Sequence, residues 1–207
     1  MDTGLRDRLA AIGSSSLHEA MGRKGALPSR IRTIAPDASM AGRAVTVACH
    51  PADNVTLLKA MDVAGEGDVL VVATGHHEAG YFGEVMATRC MARGIAGLVI
   101  DGGVRDVQRL REMGFPVFAA NVCMAGTVKQ TLGPINERLV IGGQIIEPGD
   151  FVRGDDDGVV IVPAASGAAV IEEAERRETD EAGKMAMLRD GQSLFELMGL
   201  NKRFPGA

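Results

Sequence analysis

The sequence holds 207 residues, 46% apolar and 24% charged, the balance of a globular protein able to bury one core. A net charge of −5, no long run of Lys or Arg and only 3% aromatics exclude a phosphate-tracking or base-stacking nucleic-acid surface. No apolar stretch approaches the roughly 20 residues that span a bilayer. The charged start from Met1 to Ala11 has no apolar signal core, so a cytoplasmic location is expected.

Residues 5–12 have helical spacing, and Gly13 ends them. Ser14 to Ser16 are expected to cap a second short helix that runs to Met21. After a loop with Gly25, Pro28 and Pro36, residues 43–49 alternate and read as a strand. Residues 54–63 read as a helix and 68–73 as a buried strand. The middle is the most regular part: helix 84–93 closed by Gly94, strand 96–100, helix 104–113 closed by Gly114, and strand 116–120. That order describes right-handed βαβ units with parallel pairing. Short strands at 139–141, 144–146, 150–152 and 158–162 predict an antiparallel layer, and 164–189 predicts a long helix followed by a short one at 194–198. The expected architecture is a single α/β domain over 1–207, a compact sandwich with a C-terminal helical arm from about 164 to 207. Cys49, Cys90 and Cys123 form no CxxC pair and are odd in number, which argues for reduced thiols rather than a disulfide framework.

In open α/β sheets, ligands collect beyond the carboxyl ends of the parallel strands. Three such junctions can be marked: Thr74 to Glu84, Asp101 to Asp106, and His50 to Asn54. At the first, the N–H groups of Glu84, Val85 and Met86 lack helical partners and offer a seat for a carboxylate or phosphate. A helix start capped by Glu84 itself is the alternative. At the second, Asp106 beside Arg105 places an anion and a cation at one strand end. A carboxylate there suits Mg²⁺ or Mn²⁺, which take oxygen ligands and keep several waters. A guanidinium beside it stabilises an oxyanion as charge develops. The plain alternative is an Asp favouring a helix start and an Arg in a surface ion pair. Glu84 would bring a second carboxylate to the same centre. His76 and His77 read as loop residues rather than metal ligands. Asp155 to Gly158 lacks the ligand spacing of a calcium loop and reads as a polar turn, and the charged run 172–181 reads as a solvated helix face.

The stretches Tyr81-Phe-Gly-Glu-Val-Met86 and Gly97-Leu-Val-Ile-Asp-Gly-Gly-Val-Arg-Asp106 set Gly83-Glu84 twenty residues ahead of Arg105-Asp106. With His18-Glu-Ala-Met-Gly22, Gly126-Thr-Val-Lys129 and Pro148-Gly-Asp150, they resemble a known family. It comprises the metal-dependent (class II) 4-hydroxy-4-methyl-2-oxoglutarate and 4-carboxy-4-hydroxy-2-oxoadipate aldolases, relatives of the regulator of ribonuclease activity A. The resemblance implies a swivelling β/β/α-type fold, a homotrimer or homohexamer, Mg²⁺ or Mn²⁺ with no organic cofactor, and an active site between subunits. It implies that Asp106 binds the metal, that Glu84 supports it through water, and that Arg105 stabilises an enolate. The amides at Val85 and Met86, beside Gly83, would seat the carboxylate of a small 2-oxo acid. A Glu on a neighbour's C-terminal helix completes such sites; Glu181 fits that position, with Glu178 one turn earlier as the competitor. Asn54, at the third junction, is the remaining expected substrate contact. The implied reaction releases pyruvate and a second oxo acid, with oxaloacetate decarboxylation through the same enolate. A dedicated oxaloacetate decarboxylase and a non-catalytic regulator that binds a ribonuclease are the competing readings.

Overall fold

Val69, Leu70, Val71 and Val72 are all fully buried, and alternate side chains enter two different cores. Leu70 and Val72 pack with a helix-facing cluster, Val69 and Val71 with the interior of the sheet. A strand covered on both faces reads as a continuous apolar run, which is why the sequence marked this one so clearly.

The computed structural model describes residues 3–204. Helices α1 (Thr3–Ala11) and α2 (Ser14–Ala20) precede strands β1 (Arg32–Thr33) and β2 (Met40–Ala48). Then come α3 (Val55–Val63), β3 (Asp68–Ala73), β4 (Gly80–Phe82), α4 (Glu84–Ala92), β5 (Gly97–Val104), α5 (Val107–Met113) and β6 (Val117–Val122). The hairpin β7 (Leu139–Ile141) and β8 (Gln144–Ile146) stands apart, followed by β9 (Phe151–Asp155) and β10 (Gly158–Val162). A 3-10 turn (Ala164–Ser166) leads into α6 (Gly167–Arg189), then α7 (Leu194–Leu197) and α8 (Leu200–Arg203).

The main sheet runs in the order β1-β6-β5-β3-β2-β9-β10, with β4 added beside β5. Strands β2, β3, β5 and β6 are parallel, as the βαβ spacing predicts. The antiparallel strands β9 and β10 continue this same sheet. The reason lies at the start of β2: Met40 to Gly42 extend it beyond the expected strand, and Met40 to Arg43 pair with Gly154 to Phe151. The sheet then curls almost shut. Beyond β10, Gly25 and Leu27 exchange backbone hydrogen bonds with Ile161 and Val159, and the chain carries on into β1 on the opposite edge. Leu139, Ile141 and Ile146 of the hairpin pack onto the enclosed interior. Ile12, Leu17, Ile171 and Ala174 bury α1, α2 and α6 against Phe151, Val160 and Val162.

Local details also differ from the sequence expectation. Ser14 to Ser16 do not cap α2 with their side chains; Gly13 is the N-cap. The Gly13 N–H donates instead to Glu178 at 3.0 Å and the Ser14 N–H to Asp155 at 2.7 Å, acceptors brought in by distant chain segments. Strand β5 runs to Val104 rather than stopping at Ile100, and α5 starts only at Val107. Gly103 makes this extension possible. A Cβ there would stand 2.5 Å from the Ala79 carbonyl oxygen and 2.3 Å from Asn121 Oδ1, so only glycine lets both flanking strands close on it. No helix among the described residues is long and apolar enough to cross a membrane.

Candidate active site

Asp106 is the residue on which the local geometry turns. It is the N-cap of α5, yet its side chain makes no capping bond to its own helix. Its backbone sits in the left-handed region, with φ of 55°, a conformation that Asp tolerates better than most residues. That bend carries the carboxylate across to the neighbouring helix, where Asp106 Oδ2 accepts the Glu84 N–H at 3.2 Å. Gly83 is the reason the carboxylate fits. A Cβ at that position would lie 2.3 Å from Asp106 Oδ2.

Around this contact the structure gathers a small cavity of about 50 Å³, space for a few water-sized groups. Asn54, Gly83, Val85, Met86, Arg105 and Asp106 all line it, so three separate strand-to-helix junctions meet at one cavity. Arg105 reaches it from the end of β5; its N–H donates to the Phe82 carbonyl at 2.9 Å. Its guanidinium is half-exposed, and its Nε stands 3.9 Å from Asp106 Oδ2, too far for a hydrogen bond. Both charged groups are therefore close together but left largely free for a ligand.

The helix-start amides divide. The Met86 N–H donates back to the Gly83 carbonyl at 3.1 Å, which takes it out of the expected carboxylate seat. The Glu84 N–H serves Asp106. Val85 is left with the open N–H of this first turn among the described residues, and its side chain is strongly exposed. Asn54 contributes in a way its position alone did not reveal. It is 6% exposed, its Nδ2 donates to the Tyr81 carbonyl at 2.8 Å, and its Oδ1 is buried with no partner. A buried acceptor left unpaired costs free energy unless a ligand satisfies it. Asn54 thus brings an unpaired acceptor to the wall of the cavity it lines.

Three residues that the sequence reading passed over hold these groups in place. Tyr81 is fully buried; its hydroxyl accepts the Ala52 N–H at 2.7 Å and ties the third junction to β4. Burial pushes its hydroxyl pKa upward. Asp101, 3% exposed, accepts the Thr74 N–H at 2.6 Å and the Thr74 hydroxyl at 2.9 Å, anchoring the loop that leads into β4. Asp53, also buried, accepts the N–H groups of Val55, Gln130 and Thr131 and so pins the 123–138 segment over the end of β2. The Val55 bond is the largest of the causes that hold its carboxyl below the ordinary range. An Asp two residues before a helix start was the available sequence signal, since such side chains bond their own backbone two residues on.

The C-terminal helix does not reach the cavity within one chain. Glu181 pairs with Arg177 at 2.7 Å on α6, and Glu178 accepts the Gly13 N–H. No group of three or more His, Cys, Asp or Glu side chains capable of holding a metal occurs among the described residues. His76 stands 3.3 Å from Asp101, and Arg30 donates to its Nδ1 at 2.9 Å, an arrangement of loop anchoring. Asp155 likewise accepts bonds from Ser14 and from the Asp157 N–H within a tight turn between β9 and β10. The one carboxylate lining the cavity is the half-exposed Asp106, with the Asn54 side-chain oxygen unpaired in its wall and Glu84 adjoining Gly83 in sequence. Such a set suits a cation that keeps much of its water, as Mg²⁺ does.

The family model described as RraA-like: Aldolase/RraA matches residues 10–161. The chain belongs to the RraA-like family. It is 31% identical over 180 residues to a protein of Halalkalibacterium halodurans named "Putative 4-hydroxy-4-methyl-2-oxoglutarate aldolase", covering 86% of each chain. An uncharacterized protein from Pseudomonas syringae pv. tomato superposes with a TM-score of 0.86 at 27% identity, covering 95% of this chain and 93% of that one. Streptomyces coelicolor RraAS2, described as an unusual member of the RNase ES inhibitor RraA protein family, superposes with a TM-score of 0.80 at 25% identity, covering 89% and 97%. The RraA-like family thus includes both named aldolases and named ribonuclease inhibitors. The match to residues 10–161 takes in the whole cavity and stops before α6.

Proposed function

We propose that this chain is a divalent-metal-dependent lyase that cleaves a 4-hydroxy-2-oxo acid to pyruvate and a second oxo acid. Candidate substrates are 4-hydroxy-4-methyl-2-oxoglutarate and 4-carboxy-4-hydroxy-2-oxoadipate. The observation that carries this reading is the Asp106 carboxylate, turned away from its own helix and left with one 3.2 Å bond beside a free guanidinium. A surface ion pair or a helix cap has no need of that bend. The name of the Halalkalibacterium halodurans relative supports a carbon–carbon lyase.

In this reading the substrate carboxylate docks on the open Val85 N–H, and Arg105 faces the 2-oxo oxygen. A bound Mg²⁺ or Mn²⁺, held by Asp106, would supply Lewis-acid polarisation of the 2-oxo group. The 4-hydroxyl loses its proton to a water positioned by Glu84 and Asp106. The C3–C4 bond breaks, C4 leaves as the carbonyl of the second oxo acid, and its bonding pair becomes the pyruvate enolate. Arg105 stabilises the negative enolate oxygen. Protonation at C3 then releases pyruvate. Decarboxylation of oxaloacetate passes through the same enolate, so the same residues would serve it.

A cavity of about 50 Å³ is small for the whole substrate, so a second chain would supply the rest of its surroundings. Val85, Val122 and Met124 are exposed apolar side chains on or near the cavity rim, and Met185, Leu194 and Met198 are exposed along the helical arm. Apolar groups left in water at both places favour an assembly in which one chain's arm covers its neighbour's site. We take that assembly to be a homotrimer or homohexamer, with Glu181 as the arm's contribution. Glu178 is already committed to the Gly13 N–H in its own chain.

The test is pyruvate release, coupled to lactate dehydrogenase, from 4-hydroxy-4-methyl-2-oxoglutarate and from oxaloacetate, each with Mg²⁺ and with EDTA. Metal-dependent release from both is expected. Release from oxaloacetate alone would narrow the activity to a decarboxylase. The description of Streptomyces coelicolor RraAS2 favours a second reading, a protein-binding inhibitor. Turnover on neither substrate, together with co-purification of a ribonuclease, would favour that reading.

A further inference from the structure

The largest hollow among the described cavities lies well away from the Asp106 site and shares no residue with it. It measures about 700 Å³, a volume typical of small-molecule sites, and opens between the end of α2, the turn of the β7–β8 hairpin and the start of α6. Its wall is two-sided. Met21, Ile161 and Val170 give an apolar floor, while His18, Arg23 and Lys24 bring cationic or protonatable groups. No carboxylate lines it, in a chain whose net charge is −5.

The polar wall is also built rather than loose. The His18 ring meets the Lys24 carbonyl through Nδ1 at 2.9 Å, and the Arg23 N–H donates to the His18 carbonyl at 2.9 Å. Nδ1 therefore donates to that carbonyl, which fixes the ring against the turn. Arg23 and Gly22 both hold left-handed backbone, with φ of 66°, so this turn is a fixed conformation and not a random loop. Arg23 is partly occupied by Glu19 at 3.2 Å, but the Lys24 ammonium has no carboxylate within salt-bridge distance among the described residues. An apolar floor with unneutralised cations above it matches one kind of occupant.

We propose that this hollow is a second ligand site, for a small organic anion with an apolar or aromatic body and a phosphate or carboxylate head. Lys24, with Arg23 beside it, would take the head, and Met21, Ile161 and Val170 the body. The site is independent of the lyase reading, since none of its residues lies at the Asp106 cavity.

Calorimetry on the full-length protein tests this with three probes: adenosine 5′-monophosphate, benzoate and inorganic phosphate. We expect saturable binding of the first or the second at one site per chain. Whichever binds more tightly identifies the head group. Lys24→Glu and Gln144→Glu, the latter placing a carboxylate in the lining, should each weaken binding about tenfold or more. Neither variant should alter pyruvate release. Inorganic phosphate binding as tightly as the nucleotide would overturn the role given to the apolar floor. No saturation by any probe up to about 10 mM, or affinity unchanged in both variants, would overturn the site. So would dissociation of the native assembly by Lys24→Glu, because the occupant would then be a second copy of the chain.

Discussion

Asp53 and Asp106 both stand at the start of a helix, and they do opposite things. Asp53 is 2% exposed and accepts three backbone N–H groups at 2.7–2.9 Å, two of them from a segment more than seventy residues away. Asp106 is half-exposed, sits in strained left-handed backbone, and accepts one N–H at 3.2 Å. The first carboxylate closes the fold and has nothing left to offer. The second is held in place while most of its bonding capacity stays open. Residue type and position alike fail to separate structural from functional carboxylates; what separates them is how much of each oxygen the fold consumes.

Breaking Asp106, the carboxylate to which the lyase reading assigns the metal, should give the largest effect. Asp106→Asn should lower pyruvate release by ~100-fold or more while leaving Tm unchanged or slightly raised, because no structural bond of consequence is lost. Steady-state kinetics alongside thermal unfolding would check both halves. Next comes Gly83→Ala. Its Cβ would stand 2.3 Å from Asp106 Oδ2 and push the carboxylate aside, so turnover should fall roughly 10- to 100-fold with the metal still bound.

Asp53→Asn sharpens the other side. It should reduce Tm by roughly 5 °C and leave the turnover of folded protein within a few-fold. A pH series adds the sign. The carboxyl of Asp53 is held below its ordinary value of 3.8, chiefly by the Val55 N–H. A carboxyl depressed in the fold lends stability above that ordinary value and loses it as pH falls through the lower folded one. Wild-type Tm should therefore drop below about pH 4, and the variant should show a shallower drop. The smallest effect concerns the thiols. Burial pushes Cys49 and Cys90 up to about 12, so maleimide at neutral pH should label Cys123 in native protein and reach the other two only on unfolding.

Much of the site was legible because it lies at ends of elements that announce themselves. The buried run of β3, the helix periodicity of α4 and the Arg105-Asp106 pair mark two of its junctions in the sequence. What stayed hidden depends on contacts across the chain. Strand β4 is three residues inside a glycine-containing loop and exists only because β5 extends far enough to pair with it. The commitment of the Met86 amide to Gly83 and the orphaned Asn54 Oδ1 follow from packing, not from local pattern. The left-handed turn at Asp106 has no sequence signature beyond the tolerance of Asp for it. Glu181 lies on the largely exposed outer half of α6, paired with Arg177 one turn earlier, so the sequence carries no signal for what it would meet on a neighbouring chain.

The most direct test of the central claim is Mn²⁺ binding by calorimetry to the wild type, Asp106→Asn and Asp53→Asn. The account predicts one Mn²⁺ per chain for the wild type and for Asp53→Asn, and a loss of at least tenfold in affinity for Asp106→Asn. Equal affinity in all three proteins would contradict it, since Asp106 would then be a helix-start residue and nothing more.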